Sequence, residues 1–597
     1  MEIPLETRRH SAAHVMAAAV KRLFPEAKFG VGPVIDNGFY YDIDIGRPVT
    51  QEDLASITEQ MRSIINKDNP AFVREEMPID EAIKLFTEMG QTYKVELLND
   101  LKTRGTTKLS AEEAGDLDAA NVSTVSVYRT GDFVDLCRGP HVEHARDIGV
   151  WKLSKFAGVY WRGKDTNPQM QRIYGLCFAT KEELFNYEQM MAEAEKRDHR
   201  KLGKELGLFV FSDLVGPGLP LWTPKGTIVR ELLNEFVGSL RKPYGYQNVT
   251  IPHITKKELY ETSGHWAKYE ADLFKIHTRE NHLFAMKPMN CPHHAQIYDS
   301  EPRSYRELPV RYAETTMVYR DEQSGELSGL ARVLSITQDD AHVFCRVSQM
   351  QQEAENVWNI IQKFYETFGF QLKPRLSRRD PSKPEKYQGS VEDWDRAEDE
   401  LRKILEEKGM EWIDGPGEAA FYGPKIDFMA KDSIGRPHQV ATIQLDFTQP
   451  KNFGLSCINE QGEKEPIMMV HCAIMGSIER FMAVLIEHYA GAFPLWLSPN
   501  QVVVLPVADR HADAAYALAK ELKAAGLRVT VDDSSESVNK KIRNAEKAKS
   551  PVMIVFGDKE AAGEPLTVRR RGVAEQMSFT KEDLLAKLLE ESTKRTA

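Results

Sequence analysis

The alternation of apolar and polar residues divides the chain into three stretches of different texture. In the first, residues 11–23 have the spacing of a short amphipathic helix, and residues 29–45 are predicted to form strands separated by turns. Thr180 and Glu183 then form a capping box that begins a long polar helix running through Lys201. A charged helix with little apolar stripe is typical of a bridge between domains, so we place the first domain at residues 1–200.

The second stretch is rich in strand patterns. Helices are predicted at residues 227–240, 349–368 and 477–489. Strands are predicted at residues 249–254, 310–319, 330–337, 425–429, 439–446 and 468–472. Because few of these strands alternate regularly with helices, we expect a mostly antiparallel sheet in a domain that spans residues 201–497.

The third stretch alternates strands with helices. Strands are predicted at 501–507, 527–533 and 552–557, and helices at 509–525, 538–549 and 580–591. This pattern predicts a small α/β domain at residues 498–597. The whole chain is therefore predicted to be an α+β multidomain protein, with an antiparallel-sheet core between an N-terminal α+β domain and a C-terminal α/β domain.

Composition narrows the classes of function. The 597 residues are 42% hydrophobic and 28% charged, as in globular proteins, and the net charge of −11 excludes a uniformly basic surface for nucleic acid. Six cysteines are too few for a disulfide scaffold in a chain of this length, which favours a reducing compartment, and the absence of a C-x-x-C pair argues against a thioredoxin-like dithiol or a zinc ribbon. With no apolar run near the roughly 20 residues of a membrane span and no secretory core, we expect a cytoplasmic enzyme without a membrane partner.

Arginines are the best candidates for holding a nucleotide. The chain contains neither a Walker loop nor a G-x-G-x-x-G motif, so side chains would have to bind any phosphates. Arg320 and Arg332 can come together on two returning strands, and Arg480 stands where a helix begins. The alternative is that these arginines form ordinary surface salt bridges.

Two groups of residues have the composition of metal sites. Cys291, His342 and His471 lie in or beside apolar stretches, and one thiolate with two imidazoles is a zinc set with one position open. Spacing alone also allows them to be ordinary core residues.

The second group is the pair His10-x-x-x-His14 with the pair Cys137-x-x-x-His141. It has the stoichiometry of a zinc site. A polar pocket that activates water, or scattered surface histidines, are the alternatives.

These residues stand in recognisable motifs. The segment with Arg320, Glu322, Arg332 and residues 337–342 resembles motif 2 of class II aminoacyl-tRNA synthetases. Residues 476–480 resemble motif 3, and the helix 230–240 leading to Pro252 resembles motif 1. Residues 287–291, 421–425 and 444–447 are similar to signatures of the threonyl-tRNA synthetase family, and the resemblance covers essentially the whole chain.

The resemblance implies ATP-dependent ligation of L-threonine to tRNA(Thr) through a threonyl-adenylate, with Mg²⁺ accompanying ATP. It implies one catalytic Zn²⁺ per subunit at Cys291, His342 and His471, which binds the amino group and hydroxyl of threonine. The catalytic residues that it implies are Arg320 and Arg480 at the ATP phosphates, His265 at the terminal ribose of tRNA, and Lys425. The further ATP- and substrate-binding residues are Glu322, Arg332, Gln338, Asp340, Tyr422, Gln444 and Ser477.

Serine also has a hydroxyl, and the family removes it from tRNA in an N-terminal editing domain. The editing residues that the resemblance implies are His10, His14, Lys94, Asp135, Cys137 and His141, with water activation preferred to a metal. The C-terminal domain resembles an anticodon-binding domain, with Glu560 and Arg569 as base readers. Basic patches at residues 540–543 and 569–571 would meet the tRNA, and the family implies a homodimer.

The sequence departs from the family pattern at several positions. An extra ubiquitin-like domain that is common before the editing domain is expected to be absent. Ile336 stands where an aromatic residue would stack on adenine, and Ser535 where an asparagine would read a base. His293 and Cys472 replace a usual glycine and arginine beside the zinc ligands. One rival hypothesis is a metal-dependent hydrolase centred on His10, His14, Cys137 and His141, which would show no threonine-dependent pyrophosphate exchange. The other is a catalytically silent paralogue, against which the intact motif arginines and zinc set argue.

Overall fold

The computed structural model describes residues 3–105, 123–164 and 166–596, and the chain divides into two compact units, residues 1–192 and 193–597. The first unit is built around the helix Leu5–Leu23, in which every residue from 11 to 20 is buried. The predicted helix is therefore longer than expected, and the expectation that it is amphipathic is wrong. Five alanines among its buried residues allow sheet and helix to pack closely around it.

Two antiparallel sheets of the first unit pack near this helix. The larger sheet has the strand order Lys28–Phe29, Gly38–Asp44, Gln169–Phe178, Val150–Tyr160, with Val34–Ile35 paired to Gly38–Asp44. The smaller has the order Phe72–Pro78, Thr124–Thr130, Phe133–Leu136. The other α-helices are Gln51–Ser63, Ile79–Glu88, Thr92–Arg104 and Lys181–Arg197, the last of which crosses into the second unit. Thr180 and Glu183 form the predicted capping box at its start.

The core of the second unit is an eight-stranded, mostly antiparallel sheet, which confirms the predicted architecture. Its strand order is Gln247–Asn248, Val310–Tyr319, Ser335–Cys345, Met468–Ser477, Pro437–Asp446, Lys425–Lys431, Gln371–Arg378, Ile413–Pro416. Only the two outermost pairs are parallel. The helices Pro224–Arg241, Met350–Thr367 and Ile478–His488 cover one face with a large apolar cluster that includes Trp358, Phe364 and Phe481.

Smaller elements complete this part of the second unit. The further α-helices are His199–Leu206, Lys257–Thr262, His265–Tyr269, Cys291–Asp299, Val391–Glu407 and Thr448–Asn452. The further strands are Phe209–Val210, Leu221–Trp222, Ile254–Lys256, Lys275–His277, Leu283–Met286, Ser456–Ile458 and Lys464–Pro466. The predicted strand at residues 249–254 is wrong, because residues 249–253 are irregular around Pro252, which has no N–H for a ladder.

The C-terminal part is the predicted α/β layer structure. Its sheet has the order Val529–Val531, Val502–Pro506, Val552–Phe556, Leu566–Arg570, Met577–Phe579, with the first three strands parallel. The helices are Ala512–Ala524, Val538–Lys547, Asp558–Ala561 and Lys581–Lys594. The two antiparallel strands at residues 566–570 and 577–579 were not predicted. Of the helices in the described ranges, none is long and apolar enough to cross a membrane.

Two glycines of the helix Pro224–Arg241 give a matched test of how closely this helix packs against the backbone at Leu208. A Cβ at Gly226 would lie 2.0 Å from the carbonyl oxygen of Leu208, whereas a Cβ at Gly238 would meet nothing within 4 Å. We expect Gly226→Ala to lower the free energy of unfolding by about 1–3 kcal/mol through overpacking. Gly238→Ala should raise it by up to about 1 kcal/mol through helix propensity. Urea unfolding of both variants checks this, and equal effects would contradict the packing.

Candidate active site

Two neighbouring strands bring His342 and His471 opposite each other as register partners. Their ring centroids lie 4.8 Å apart. Cys291, the first residue of the helix Cys291–Asp299, comes beside them, and one ligand atom from each of the three residues lies within 4.8 Å of the others. All three side chains are buried. A thiol and two imidazoles converging away from bulk water have the donor chemistry of a zinc site.

Each histidine of this triad is held by a further buried side chain. Nε2 of His471 lies 2.8 Å from Oδ2 of Asp446, which is itself fully buried. Nδ1 of His342 lies 2.8 Å from Nδ1 of His294. These contacts leave Nδ1 of His471 and Nε2 of His342 for a metal, and such outer partners are what a metal-ligating histidine requires. The residues therefore fit Zn²⁺.

The triad lies at one end of a cleft made of two adjoining cavities. The cavity at the triad has a volume of about 570 Å³, and the second, toward the helix Ile478–His488, about 700 Å³. Residues predicted for catalysis and substrate binding line one or both of them: His265, Arg320, Glu322, Arg332, Gln338, Asp340, Tyr422, Lys425, Gln444, Ser477 and Arg480. The structure thus brings the whole predicted set together.

The arginines give the second cavity a cationic wall. Arg320 lines both cavities, and Arg480 lies in the first turn of the helix Ile478–His488, where its N–H is capped by Oγ of Ser477 at 3.2 Å. Burial lowers the pKa of the Arg480 guanidinium. Nη2 of Arg332 is held 2.6 Å from Oε2 of Glu322. Partly desolvated guanidiniums of this kind bind phosphate oxygens strongly.

Polar side chains at the cavity wall are ordered by one another. The Tyr422 hydroxyl donates to Oε1 of Gln444 at 2.5 Å, and its ring stacks on His471 at 5.0 Å. Nζ of Lys425 lies 2.8 Å from Oδ2 of the buried Asp427. Nδ2 of Asn290 donates to Oδ2 of Asp340 at 3.0 Å. The wall is therefore set before any substrate arrives.

His265 is a buried imidazole of the cleft outside the triad, and one of its ring nitrogens has no partner among the described residues. Its Nδ1 lies 2.8 Å from Oγ of Ser263, and Nε2 has no protein partner. Burial lowers its pKa to about 3, with a smaller contribution from His471. The ring is therefore neutral at physiological pH, and its unpartnered nitrogen is available for a hydrogen bond.

Three of the residues that depart from the family pattern, Ile336, His293 and Cys472, lie in or near the cleft. Ile336 and Phe481 both line the second cavity, so an aromatic ring from outside the motif that contains Ile336 lies there. His293 is buried, and neither of its nitrogens has a hydrogen-bond partner among the described residues. Sγ of Cys472 lies 3.7 Å from the Tyr246 hydroxyl.

The predicted editing residues meet in the first unit. A cavity of about 680 Å³ is lined by five of them, His10, His14, Lys94, Asp135 and Cys137. Sγ of Cys137 lies 3.2 Å from Nε2 of His10 and 3.3 Å from Nε2 of His141. Burial raises the pKa of the Cys137 thiol to about 11 and lowers the pKa of all three histidines. The cluster thus holds a protonated thiol and neutral imidazoles at neutral pH.

Tyr41 belongs to this cavity and was missed by the sequence analysis. Its hydroxyl donates to Oδ2 of Asp135 at 2.5 Å and accepts from Nζ of Lys94 at 3.0 Å. Lys94 also pairs with the other carboxylate oxygen of Asp135 at 2.5 Å. A tyrosine in an alternating strand is typical of a core, so the strand pattern carried no signal for this role.

Comparisons with known proteins agree with this arrangement. Residues 274–489 match the family described as "tRNA synthetase class II core domain (G, H, P, S and T)". Residues 501–591 match "Anticodon binding domain", and residues 125–174 match "Threonyl and Alanyl tRNA synthetase second additional domain".

Individual relatives match over nearly the full length. A threonine–tRNA ligase of Dehalococcoides mccartyi (strain CBDB1) is 47% identical over 593 residues, which cover 99% of this chain and 97% of that protein. The chain belongs to the threonine–tRNA ligase family. A threonine–tRNA ligase of Gloeobacter violaceus is 46% identical, with 98% of this chain and 92% of that protein covered.

A solved structure of the same family resembles the fold. The crystal structure of the RNA binding domain of threonyl-tRNA synthetase from Cryptosporidium parvum Iowa II aligns with a TM-score of 0.63 at 36% identity. The alignment covers 66% of this chain and 98% of that one. The class II core and the anticodon-binding domain are therefore present in this member of the threonine–tRNA ligase family.

The anticodon-binding domain places its two predicted base readers on half-buried surface. Both carboxylate oxygens of Glu560 are engaged, one by the N–H of Gly557 at 2.8 Å and one by the hydroxyl of Thr567 at 2.6 Å. Arg569 lies on the strand Leu566–Arg570, opposite Met553.

The two predicted basic patches are smaller than expected. Lys541 is buried and donates to the carbonyl oxygen of Pro506 at 3.1 Å. Arg570 pairs with Glu591, and Arg571 donates to carbonyl oxygens of Ala492 and Phe493. These three cations stabilise the fold, which leaves Lys540, Arg543 and Arg569 as the outward members.

The lowered pKa of His265 predicts a pH dependence of stability. The unfolded chain takes up a proton near pH 6.5 whereas the folded ring does not until about pH 3, so stability is lost as pH falls below 6.5. Between pH 7.5 and 5.5 this single group should cost about 1.4 kcal/mol. Over the same pH interval, the unfolding free energy of His265→Asn, which lacks this imidazole, should fall by about 1.4 kcal/mol less than that of the wild type.

Urea titrations at the two pH values measure this difference. His282→Asn, which removes an imidazole from the exposed surface, is the matched control. An unchanged pH dependence in His265→Asn would show that the ring titrates in the folded protein as it does in the unfolded chain.

Proposed function

We propose that this member of the threonine–tRNA ligase family joins L-threonine to tRNA(Thr) with ATP and Mg²⁺ through a threonyl-adenylate, and hydrolyses Ser-tRNA(Thr) in its first unit. The observation that carries the proposal is one cleft in which the zinc-type triad and three motif arginines meet. An amino-acid site and a nucleotide site that share a wall are what adenylate formation needs, because both reactants must be held in contact.

Cys291, His342 and His471 would hold Zn²⁺ at the amino-acid end. When bound, the metal supplies a Lewis acid with an open position, which selects a substrate with a hydroxyl over an apolar isostere such as valine. Gln444 and Tyr422, joined by their hydrogen bond, would bound the pocket around the threonine side chain. Asp340, fixed by Asn290, would accept from the amino group.

The arginines would act at the nucleotide end. Arg320 lines both cavities and would lie at the α-phosphate, where charge develops as pyrophosphate leaves. Arg332, oriented by Glu322, would bind the γ-phosphate side, and Arg480 would cover adenine and the γ-phosphate. Lys425 would bind the adenylate, and Ile336 with Phe481 would bound the adenine pocket.

His265 would serve the second step of the reaction, the transfer of threonine from the adenylate to tRNA(Thr). Its neutral ring and unpartnered Nε2 support a role in accepting a hydrogen bond from the terminal ribose hydroxyl, which would orient that oxygen for attack on the adenylate. The ring is oriented from behind by Ser263.

Zinc binding gives a direct prediction. We expect His342→Ala to lose both the zinc, measured by elemental analysis, and threonine-dependent pyrophosphate exchange. Asp446→Asn removes the carboxylate that orients His471 and should weaken zinc affinity about 10–100-fold. Both variants should remain folded by circular dichroism.

His293→Ala is the matched control. His293 is a buried histidine of the helix Cys291–Asp299, which begins with the triad residue Cys291, but it lines neither cavity of the cleft. It should keep its zinc. Full exchange activity in zinc-free wild type would remove the metal from the mechanism.

An editing activity is needed because the zinc-type site can discriminate only weakly between threonine and serine. Serine keeps the hydroxyl and amino group that the first site recognises, and one methyl group is worth only about 1–3 kcal/mol. The cavity of the first unit, lined by His10 and His14, offers neutral histidines that can position water against a seryl ester. Cys137 would act through hydrogen bonds and not as a nucleophile, because burial keeps its thiol protonated.

We expect the His10→Ala/His14→Ala double variant to keep threonylation and to lose deacylation of preformed Ser-tRNA(Thr). The exposed His144→Ala, outside the cavity wall, controls for the loss of an imidazole from this unit. Undiminished deacylation by the double variant would exclude the pocket. A second arm adds a chelator: since one ligand atom from each of His10, His14, Cys137 and His141 lies within 4.8 Å of the others, loss of activity would identify a metal there.

Domain roles and partners complete the proposal. We assign editing and its linker helix to residues 1–200, adenylate formation and transfer to 201–497, and anticodon binding to 498–597. tRNA(Thr), L-threonine and ATP are the partners, and Glu560 and Arg569 are the candidate base-reading residues. A homodimer and a cytoplasmic location remain predictions.

A further inference from the structure

A bulge interrupts the pairing of the strands Ser335–Cys345 and Met468–Ser477, beside the second cavity. These strands carry His342 and His471 and are called the two zinc-ligand strands below. Gln338 lies opposite Ser477 and Asp340 lies opposite Ala473, so the single residue Asp339 faces three residues, 474–476. Extra residues of this kind lose their ladder partners, and their N–H groups need another acceptor when they are buried.

The Asp339 carboxylate is that acceptor. Oδ2 accepts from the N–H of Ile474 at 2.9 Å, and Oδ1 accepts from the N–H groups of Met475 and Gly476 at 3.0 and 2.9 Å. Asp339 is fully buried. Its charge is matched by Arg241, the last residue of the helix Pro224–Arg241, whose Nη2 lies 3.2 Å from Oδ2 and donates to the Asp339 carbonyl oxygen at 2.7 Å.

The bulge is held from its carbonyl side as well. The hydroxyl of Tyr365, on the helix Met350–Thr367, donates to the carbonyl oxygen of Ile474 at 2.8 Å. Gln338 and Asp340 line the cleft, so the Asp339 side chain between them points to the opposite face of the sheet. Asp339 therefore acts on the site without touching a substrate.

The bulge positions residues that line the second cavity, where the nucleotide is proposed to bind. Ala473, Met475, Gly476 and Ser477 line the second cavity. Gly476 has a φ of 72°, a conformation that favours glycine, and the next residue, Ser477, is the N-cap of the helix that carries Arg480. A shift of the bulge would move the cap and the first helical turn with it.

We propose that Asp339 is a positioning residue for adenylate formation, whose carboxylate fixes the 474–476 bulge and thereby places Ser477 and Arg480 against the nucleotide. The proposal rests on the adenylate-forming function proposed above. It ties the end of the helix Pro224–Arg241 and the two zinc-ligand strands to one buried charge.

The test is Asp339→Asn, which keeps the size of the side chain but turns one acceptor into a donor facing backbone N–H groups. We expect kcat of threonine-dependent pyrophosphate exchange to fall about 10²-fold, the loss typical of a reacting group displaced by about 1 Å. The zinc content and the KM for threonine should stay near the wild-type values, because the triad lies further along the strands.

Glu398→Gln is the matched control. Glu398 is a buried carboxylate of the same unit that accepts the N–H of Arg379 at 3.0 Å, yet it lines neither cavity. Its kcat should stay near wild type. An equal loss of kcat in both variants would show a general effect of removing a buried charge and would overturn the proposal.

Tyr365→Phe keeps the test decisive if Asp339→Asn does not fold. It removes only the donor to Ile474, and we expect a smaller loss of kcat with the same unchanged threonine KM. Wild-type kcat in Asp339→Asn, or in Tyr365→Phe when the first variant is unfolded, would refute the positioning role. Absence of threonine-dependent exchange in the wild type would instead refute the function on which the proposal rests.

Discussion

The register between two antiparallel strands is the constraint on which the site depends. Because His342 and His471 are direct partners, one imidazole from each strand enters the same space, and Gln444 on the next strand is the partner of His471. Side chains alternate between faces, so the residues that follow by twos along each strand also face the cleft. A slip of one residue would turn one of these imidazoles into the opposite layer.

Buried carboxylates hold this register and the site on it. Asp446 accepts from His471 and from the N–H groups of Thr448 and Gln449. Glu479 accepts the N–H and the hydroxyl of Thr337, and Asp339 serves the bulge. A buried charge is expensive unless its hydrogen bonds are complete, and once complete it tolerates little displacement. This explains how the side chains that face the cleft are ordered by the fold itself.

Much of the architecture could be predicted from local pattern. The long strand Val310–Tyr319 and the helix Met350–Thr367 have strong periodicity, and the structure confirms both within a residue or two. The helix Leu5–Leu23 was misjudged because an alanine-rich helix can be buried on all sides, which no amphipathic pattern reveals. Residues 249–253 failed because Pro252 overrides the apolar run.

The site could be predicted as far as its motifs extend. Cys291, His342 and His471 were found because they stand in recognisable segments. Tyr41, His294 and Asp339 act through contacts between residues far apart in sequence, and a tyrosine, histidine or aspartate in a strand or helix carries no local mark of such a partner. Lys541 and Arg571 were misplaced for the same reason, since a run of basic residues does not show which of them turns inward.

The central claim is that strand register builds a three-residue zinc site, and X-ray absorption spectroscopy of the zinc-loaded protein tests it most directly. The account predicts one sulfur neighbour at about 2.3 Å and two imidazole nitrogens at about 2.0–2.1 Å. In His342→Ala protein reconstituted with zinc, one imidazole contribution should disappear. A spectrum with two or more sulfur neighbours, or one that does not change in this variant, would contradict the site.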